Sequence, residues 1–143
     1  MSQNPPLAQV GEEAVFSKIV TAQDVEALVA ATGDRNPLHL DAAFAARTRF
    51  GRTVAHGVLT MGLISAAVSG FFVKRNVNVI LVGANHRFRA PVYMGDTVTA
   101  RGRVRNFDPN RSLVFLDTEC TNQKDEVLIT GEVVIMLEVL ADS

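Results

Sequence analysis

The sequence predicts an α+β fold, an antiparallel β-sheet wrapped around one long central apolar helix. Residues 56–68 carry no charged side chain unless His56 is protonated. In a helix they are apolar on nearly every side, the pattern of a core element. Residues 79–138 divide into four alternating runs separated by turn residues, which reads as a meander of strands. Helical spacing is otherwise confined to the chain before them, so helices precede strands rather than alternating with them. With 143 residues, 48% of them apolar and 20% charged, the chain is long and apolar enough for one domain with its own core.

In order, residues 1–12 read as a flexible N-terminal arm and 13–143 as a single domain. A short strand is expected over 14–20. Thr21 then caps a helix, with Asp24 three positions on to favour its start. Val25, Leu28, Val29 and Thr32 fall at helical spacing, and Gly33 ends the helix. Asp41 caps a short helix over 42–48 with Phe44 as its anchor. Residues 50–53 turn. The apolar helix follows, ends at Gly70, and is too short to span a bilayer comfortably once its polar members are counted.

The first long strand covers 79–90, with Ile80, Val82, Ala84, His86 and Phe88 on one face. The second covers 97–105, where Val98, Ala100, Gly102 and Val104 face one way and Arg101, Arg103 and Arg105 the other. Val114, Leu116, Thr118 and Cys120 share a face of a strand over 113–121. Val127, Ile129, Val133, Ile135 and Leu137 share a face of the last, over 127–138. One helix and one long final strand call for more cover than a single chain provides, so a dimer is expected.

Composition narrows the function classes. A net charge of −1 gives no support for nucleic-acid or anionic-membrane binding. A single cysteine, Cys120, excludes an internal disulfide and fits a reducing compartment. The three histidines and one cysteine have no zinc-type spacing. The first residues lack a charged segment followed by an apolar one, so no signal peptide is expected. These observations lead to the expectation of a cytoplasmic protein with no metal, no nucleic-acid partner and no membrane partner.

The stretch Gly33-Asp34-Arg35-Asn36-Pro37-Leu38-His39-Leu40-Asp41 is the richest in chemistry. Asp34 and His39 are five apart, a spacing that regular helix does not pair. Pro37 biases Asn36 away from helical angles, so an irregular loop is expected to turn both side chains the same way. An imidazole exchanges protons near neutral pH, and a carboxylate accepts one or polarises a water. The same residues also make an ordinary turn, with Asn36 bridging loop backbone groups.

His56-Gly57 is the second signal. An N–H at a helix start has no partner within the helix, and a residue without a side chain lets a ligand approach it. A thioester oxygen gaining negative charge would be stabilised there. The alternative is a plain glycine near a cap. Ser65, two turns on, either bonds back to its helix or reaches the site. His56 is expected to be structural through a ring hydrogen bond, and His86 to be a satisfied core histidine. Arg87 and Arg89 either meet phosphates or sit on a solvated strand face.

Residues 32–41, then Phe50-Gly51, His56-Gly57-Val58-Leu59, and Phe88 with Pro91, Gly95 and Asp96 resemble the hydratase 2 motif. This motif marks the MaoC-like group of (R)-specific enoyl-CoA hydratases and (3R)-hydroxyacyl thioester dehydratases. The resemblance covers roughly residues 14–138. It implies a hot-dog fold, usually homodimeric, with Asp34 and His39 as the catalytic pair. They would hold a water that adds syn across a trans-2-enoyl thioester to give the (3R)-hydroxyacyl product, without a cofactor. It further implies the Gly57 N–H at the thioester oxygen, Asn36 in substrate binding, and Ser65 supporting the Asp34 loop. Residues 71–78 depart from the short Gly/Pro-containing link of the family, which points to a role in the acyl pocket or interface rim. The substrate would be an acyl-CoA or acyl-ACP. The competing functions are (3R)-hydroxyacyl-ACP dehydration in fatty-acid synthesis, thioester hydrolysis, and a non-catalytic acyl-thioester binding subunit.

Overall fold

A computed structural model describes residues 6–142. Five strands form one antiparallel sheet: β1 (Glu13–Ile19), β2 (Val77–Phe88), β3 (Thr97–Asp108), β4 (Leu113–Thr121) and β5 (Val127–Val139). Their spatial order is β1-β3-β4-β5-β2. Three short helices precede β2, namely α1 (Ala22–Thr32), α2 (Pro37–Leu40) and α3 (Ala42–Ala46). The long helix α4 (Gly57–Phe72) lies against β1, β2, β3 and β4. This is the expected sheet wrapped around one helix.

Local chemistry sets the helix ends. The Thr21 hydroxyl accepts from the Asp24 N–H while the Asp24 carboxylate accepts from the Thr21 N–H, a reciprocal cap. Gly33 closes α1 at φ +80°, a left-handed angle that glycine adopts without steric cost. Val25 and Val29 are the buried positions of α1. In α3, fully buried Ala45 is the anchor, and Phe44 is only half-buried. Gly70 does not end α4. The helix runs to Phe72 and tightens into a 3-10 turn over Val73–Arg75, because Phe72 reaches the core and is fully buried. That changes the comparison with a membrane span. The helical run Gly57–Arg75 has 19 residues and mean hydropathy 1.6, long and apolar enough to cross a bilayer by those measures. Here one flank of it lies on the sheet.

The core is a single cluster. Leu63, Ile64, Ala67, Val68 and Phe72 of α4 meet Val98, Ala100 and Val104 of β3, Val114 and Leu116 of β4, and Ile129, Val133, Ile135 and Leu137 of β5. Alternation therefore holds for β4 as far as Cys120 and for β3 as far as Val104, where the β3–β4 register shifts and Phe107 rather than Asn106 packs on the core. It fails at two further bulges. Between Leu81 and Gly83 the β2–β5 register shifts by one residue, so Val79 and Leu81 face the helix before the bulge, and Ala84 and His86 after it. Ile80 and Val82 thus do not share the face of His86. A second shift beside Cys120 and Thr121 exposes Val127 and buries Leu128 instead. One extra residue flips every later side chain, and a strict period of two cannot anticipate it.

The expected flexible arm is docked from Leu7 onward. Ala8 is buried, Gly11 N–H donates to the Val104 carbonyl at 2.9 Å, and Val104 N–H donates back to Glu12 at 2.8 Å. Arg75 clamps this segment by donating to the Leu7 carbonyl at 2.7 Å and pairing with the Glu12 carboxylate. Its guanidinium also lies over the Phe71 ring. Phe71, Phe72 and Arg75 therefore serve the core and the clamp, while Val73 and Lys74 are exposed.

Arg75 is the leading cause that holds the Glu12 carboxyl below its ordinary value near 4.5. A depressed carboxylate pKa stabilises the fold above that value, and the contribution is lost as pH falls through the folded pKa. Denaturant titrations of the wild type and Glu12→Gln are expected to differ most at neutral pH. The two curves should converge as the pH drops below about 4.

Candidate active site

The loop after α1 is built from short side-chain-to-backbone bonds. Thr32 Oγ1 accepts from the Asp34 N–H at 3.1 Å, Asp34 Oδ1 from the Asn36 N–H at 3.2 Å, and Asn36 Oδ1 from the Leu38 N–H at 3.2 Å. The segment expected to be irregular instead contains one helical turn. Asn36 caps it and Pro37 fills its first position, where a missing N–H costs nothing. Asp34 stands before this turn and His39 within it. Asn36 is thereby used as a cap, and it does not line the cleft described below.

Three groups converge. Ligand-type atoms of Asp34, His39 and His56 lie within 4.8 Å of one another. The His39 Nδ1 is 2.7 Å from the Val54 carbonyl. A carbonyl accepts only, so Nδ1 carries the proton and Nε2 of the neutral ring keeps its lone pair. His56 is 1% exposed, and its ring stacks on His39 with centroids 3.7 Å apart. Its Nε2–H donates to the Asp34 carbonyl at 3.1 Å, while its buried Nδ1 has no partner. His56 is thus structural, as expected, and it ties the start of α4 to the Asp34 loop. Each histidine already commits one ring nitrogen, which leaves the Asp34 carboxylate and one lone pair per ring as candidate donors to a cation.

His39 and Gly57 line the same cleft, of about 480 Å³. Its walls include Phe50, Thr60, Phe88, Arg49 and Arg89. Gly57 is the first residue of α4, so its N–H has no partner within the helix. A Cβ there would stand 2.7 Å from the Phe88 ring, so the close approach is to Phe88 as well as to any ligand. Phe88, Arg49 and Thr60 were not singled out as site residues. Phe88 carries a signal in the motif it shares with Pro91, which also lines the cleft, whereas Arg49 and Thr60 carry none.

Two residues sit elsewhere. Ser65 is exposed and lines a separate apolar groove between α4 and β2, with Met61, Val79, Leu81 and His86. Within one chain it does not reach the His39 cleft. His86 is not satisfied, because its buried Nδ1 has no partner, and burial pushes its pKa down. The Cys120 thiol is pushed up to about 12, first by burial and then by Glu119, so it is protonated and inert at neutral pH.

The MaoC like domain family matches residues 7–124. A 3-hydroxybutyryl-CoA dehydratase from Methylorubrum extorquens is 37% identical over 127 residues, 89% of this chain and 79% of that one. An (R)-specific enoyl-CoA hydratase from Aeromonas caviae is 36% identical over 129 residues, 90% of this chain and 95% of that one. The chain belongs to the MaoC-like family. Among solved structures, the unliganded R-hydratase from Pseudomonas aeruginosa superposes with TM-score 0.83 at 34% identity, covering 95% of this chain and 90% of that one. The A. caviae (R)-hydratase involved in PHA biosynthesis gives TM-score 0.83 at 36% identity, over 90% and 96% of the two chains. This MaoC-like chain has the hot-dog fold, with α4 as the central helix.

The His56 tie makes a prediction separate from the reacting groups. His56→Phe keeps a flat ring against His39 and deletes the donor to Asp34. In this MaoC-like chain it is expected to lower kcat by roughly 10- to 100-fold through misplacement of Asp34, with KM for enoyl thioester nearly constant. Thermal melts of both proteins check that the variant is folded.

Proposed function

We propose that this chain is an (R)-specific enoyl-CoA hydratase, a hydro-lyase that reversibly adds water syn to trans-2-enoyl thioesters. The observation that carries the reading is the convergence of Asp34 and His39 within 4.8 Å, beside the cleft that His39 and Gly57 line but Asp34 does not. Water sits between the Asp34 carboxylate and the His39 Nε2 lone pair. It gives a proton to Nε2 as its oxygen bonds to C3 of the enoyl group. Electron density moves onto the thioester oxygen, which the Gly57 N–H receives with the favourable dipole of α4 behind it. The enolate then takes that proton at C2 from the His39 imidazolium on the same face, which frees the Nε2 lone pair again, and one water has been added to give the (3R)-hydroxyacyl product. The reverse order of events dehydrates. No cofactor enters these steps.

The relatives' names include a CoA dehydratase and an (R)-specific enoyl-CoA hydratase, which supports coenzyme A as carrier. The acyl-carrier-protein dehydratase reading uses the same groups in the reverse direction. Crotonyl-CoA is expected to lose its conjugated enoyl absorbance on mixing with the protein, and chiral analysis should return the (3R) alcohol. Asp34→Asn and His39→Ala should each lower kcat by about 10²- to 10⁴-fold with folding intact. Wild-type rates in both variants would refute the catalytic assignment.

A homodimer is part of this proposal. β2 is an edge strand of 12 residues, and Ile80, Leu81 and Val82 are exposed on it. The outer side of α4 carries exposed Gly57, Val58, Gly62, Ser65, Ala66 and Gly70. A long apolar edge beside a small-residue helix face invites a second copy. Sedimentation should give a dimer for the wild type and a monomer for the double substitution Val82→Lys, Gly62→Lys. An unaltered dimer would place the contact elsewhere.

A further inference from the structure

The cleft at His39 and Gly57 carries a charge pattern that hydration itself does not use. Arg49 and Arg89 both line it, and no aspartate or glutamate does. Among the described residues, Arg75, Arg101, Arg105 and Arg111 are paired with carboxylates. Arg49 and Arg89 are not, and among the arginines without a carboxylate partner, which also include Arg35, Arg47, Arg52, Arg87 and Arg103, they are the two that line this cleft. Arg89 meets only a neutral group, donating through Nε to the Thr130 hydroxyl at 3.1 Å, which leaves both of its terminal NH2 groups for another acceptor. Arg87, two residues earlier, points to a different place. It shares a shallow patch with Asp117 and Glu132, where carboxylates already balance positive charge. The structure therefore separates two arginines that look equivalent in sequence.

Two guanidiniums on one cleft with no counter-ion make a receptor for an anion, and their planar forks suit phosphate oxygens. An acyl thioester carried on a pantetheine arm brings such an anion, because the arm ends in a phosphate. We propose that Arg49 and Arg89 hold the phosphate of the pantetheine arm, with the thioester at Gly57 and the enoyl group between Asp34 and His39. The assignment rests on the thioester hydration reading above and adds a carrier-recognition site to it. The arm phosphate is common to coenzyme A and to acyl carrier protein, so the same pair serves either source.

Steady-state kinetics on crotonyl-pantetheine, crotonyl-phosphopantetheine, crotonyl-CoA and crotonyl-acyl carrier protein test this. Arg49→Ala and Arg89→Ala are each expected to lower kcat/KM about tenfold on the three phosphorylated substrates. Neither should change it on crotonyl-pantetheine. In the double variant, phosphopantetheine should lose its advantage over pantetheine, and the wild-type loss with added salt should flatten. Arg87→Ala should leave all four substrates unchanged. Comparable losses of the double variant on crotonyl-CoA and on the carrier protein are expected, because both sources present the same arm phosphate. Equal losses on all four substrates, pantetheine included, would overturn the proposal in favour of a packing role. So would a loss confined to crotonyl-CoA, or no loss at all. Failure of the wild type to turn over any substrate would count against the hydratase reading instead. In that case calorimetric titration with phosphopantetheine still decides the arginine pair, by binding to the wild type and loss of binding in the double variant.

Discussion

One buried imidazole joins the two halves of the site. His56 stands at the start of α4 and is packed out of solvent, so its ring has little freedom. It fixes the Asp34 loop through the Asp34 carbonyl and supports His39 by stacking. These are backbone and face contacts, which leave the Asp34 carboxylate and the His39 Nε2 edge for chemistry. His39 is held from the other side by the Val54 carbonyl. Val54 in turn bridges to Tyr93, and Ala55 N–H bonds to Val92. Loop, helix start and sheet margin therefore form one braced unit, and small loop motions are resisted where orientation matters most.

The same arrangement explains why so much was legible beforehand. Caps, turns and uninterrupted alternation are local, and each lies within a few residues of its cause. Thr21 with Asp24, Gly33, Asp41, and the faces of β3 and β4 were readable for that reason. The site pair was readable because both members lie in one ten-residue stretch. What could not be read depends on distant partners. The bulges in β2 and β5 are set by what those strands must match across the sheet. The extension past Gly70 is decided by the space waiting for Phe72. The docked segment from Leu7 to Glu12 needs Arg75, sixty-three residues beyond Glu12. Pro37 does keep Asn36 from helical angles, at φ −52° and ψ 122°, but it also opens a helical turn, since at a first position its ring angle is already helical.

Ser65 and His86 show where a single chain stops being a complete description. Both line the apolar groove between α4 and β2. An edge strand that exposes Ile80, Leu81 and Val82 leaves one row of backbone donors and acceptors unpaired. A seryl group on the outer side of a helix so poor in polar side chains has few partners within its own subunit.

Gly57 has two readings in the sequence, a plain glycine at a cap or a donor to an oxyanion, and the geometry adds a third reason for it in the packing of Phe88. The Phe88 ring stands so close that any side chain at 57 would collide with it. Removing that side chain also strips cover from the N–H, which lies on the cleft shared with His39. A methyl group there would force the exposed Phe88 ring outward. The requirement for glycine is therefore steric at its origin, and its result is a backbone donor at the start of α4 that no side chain covers.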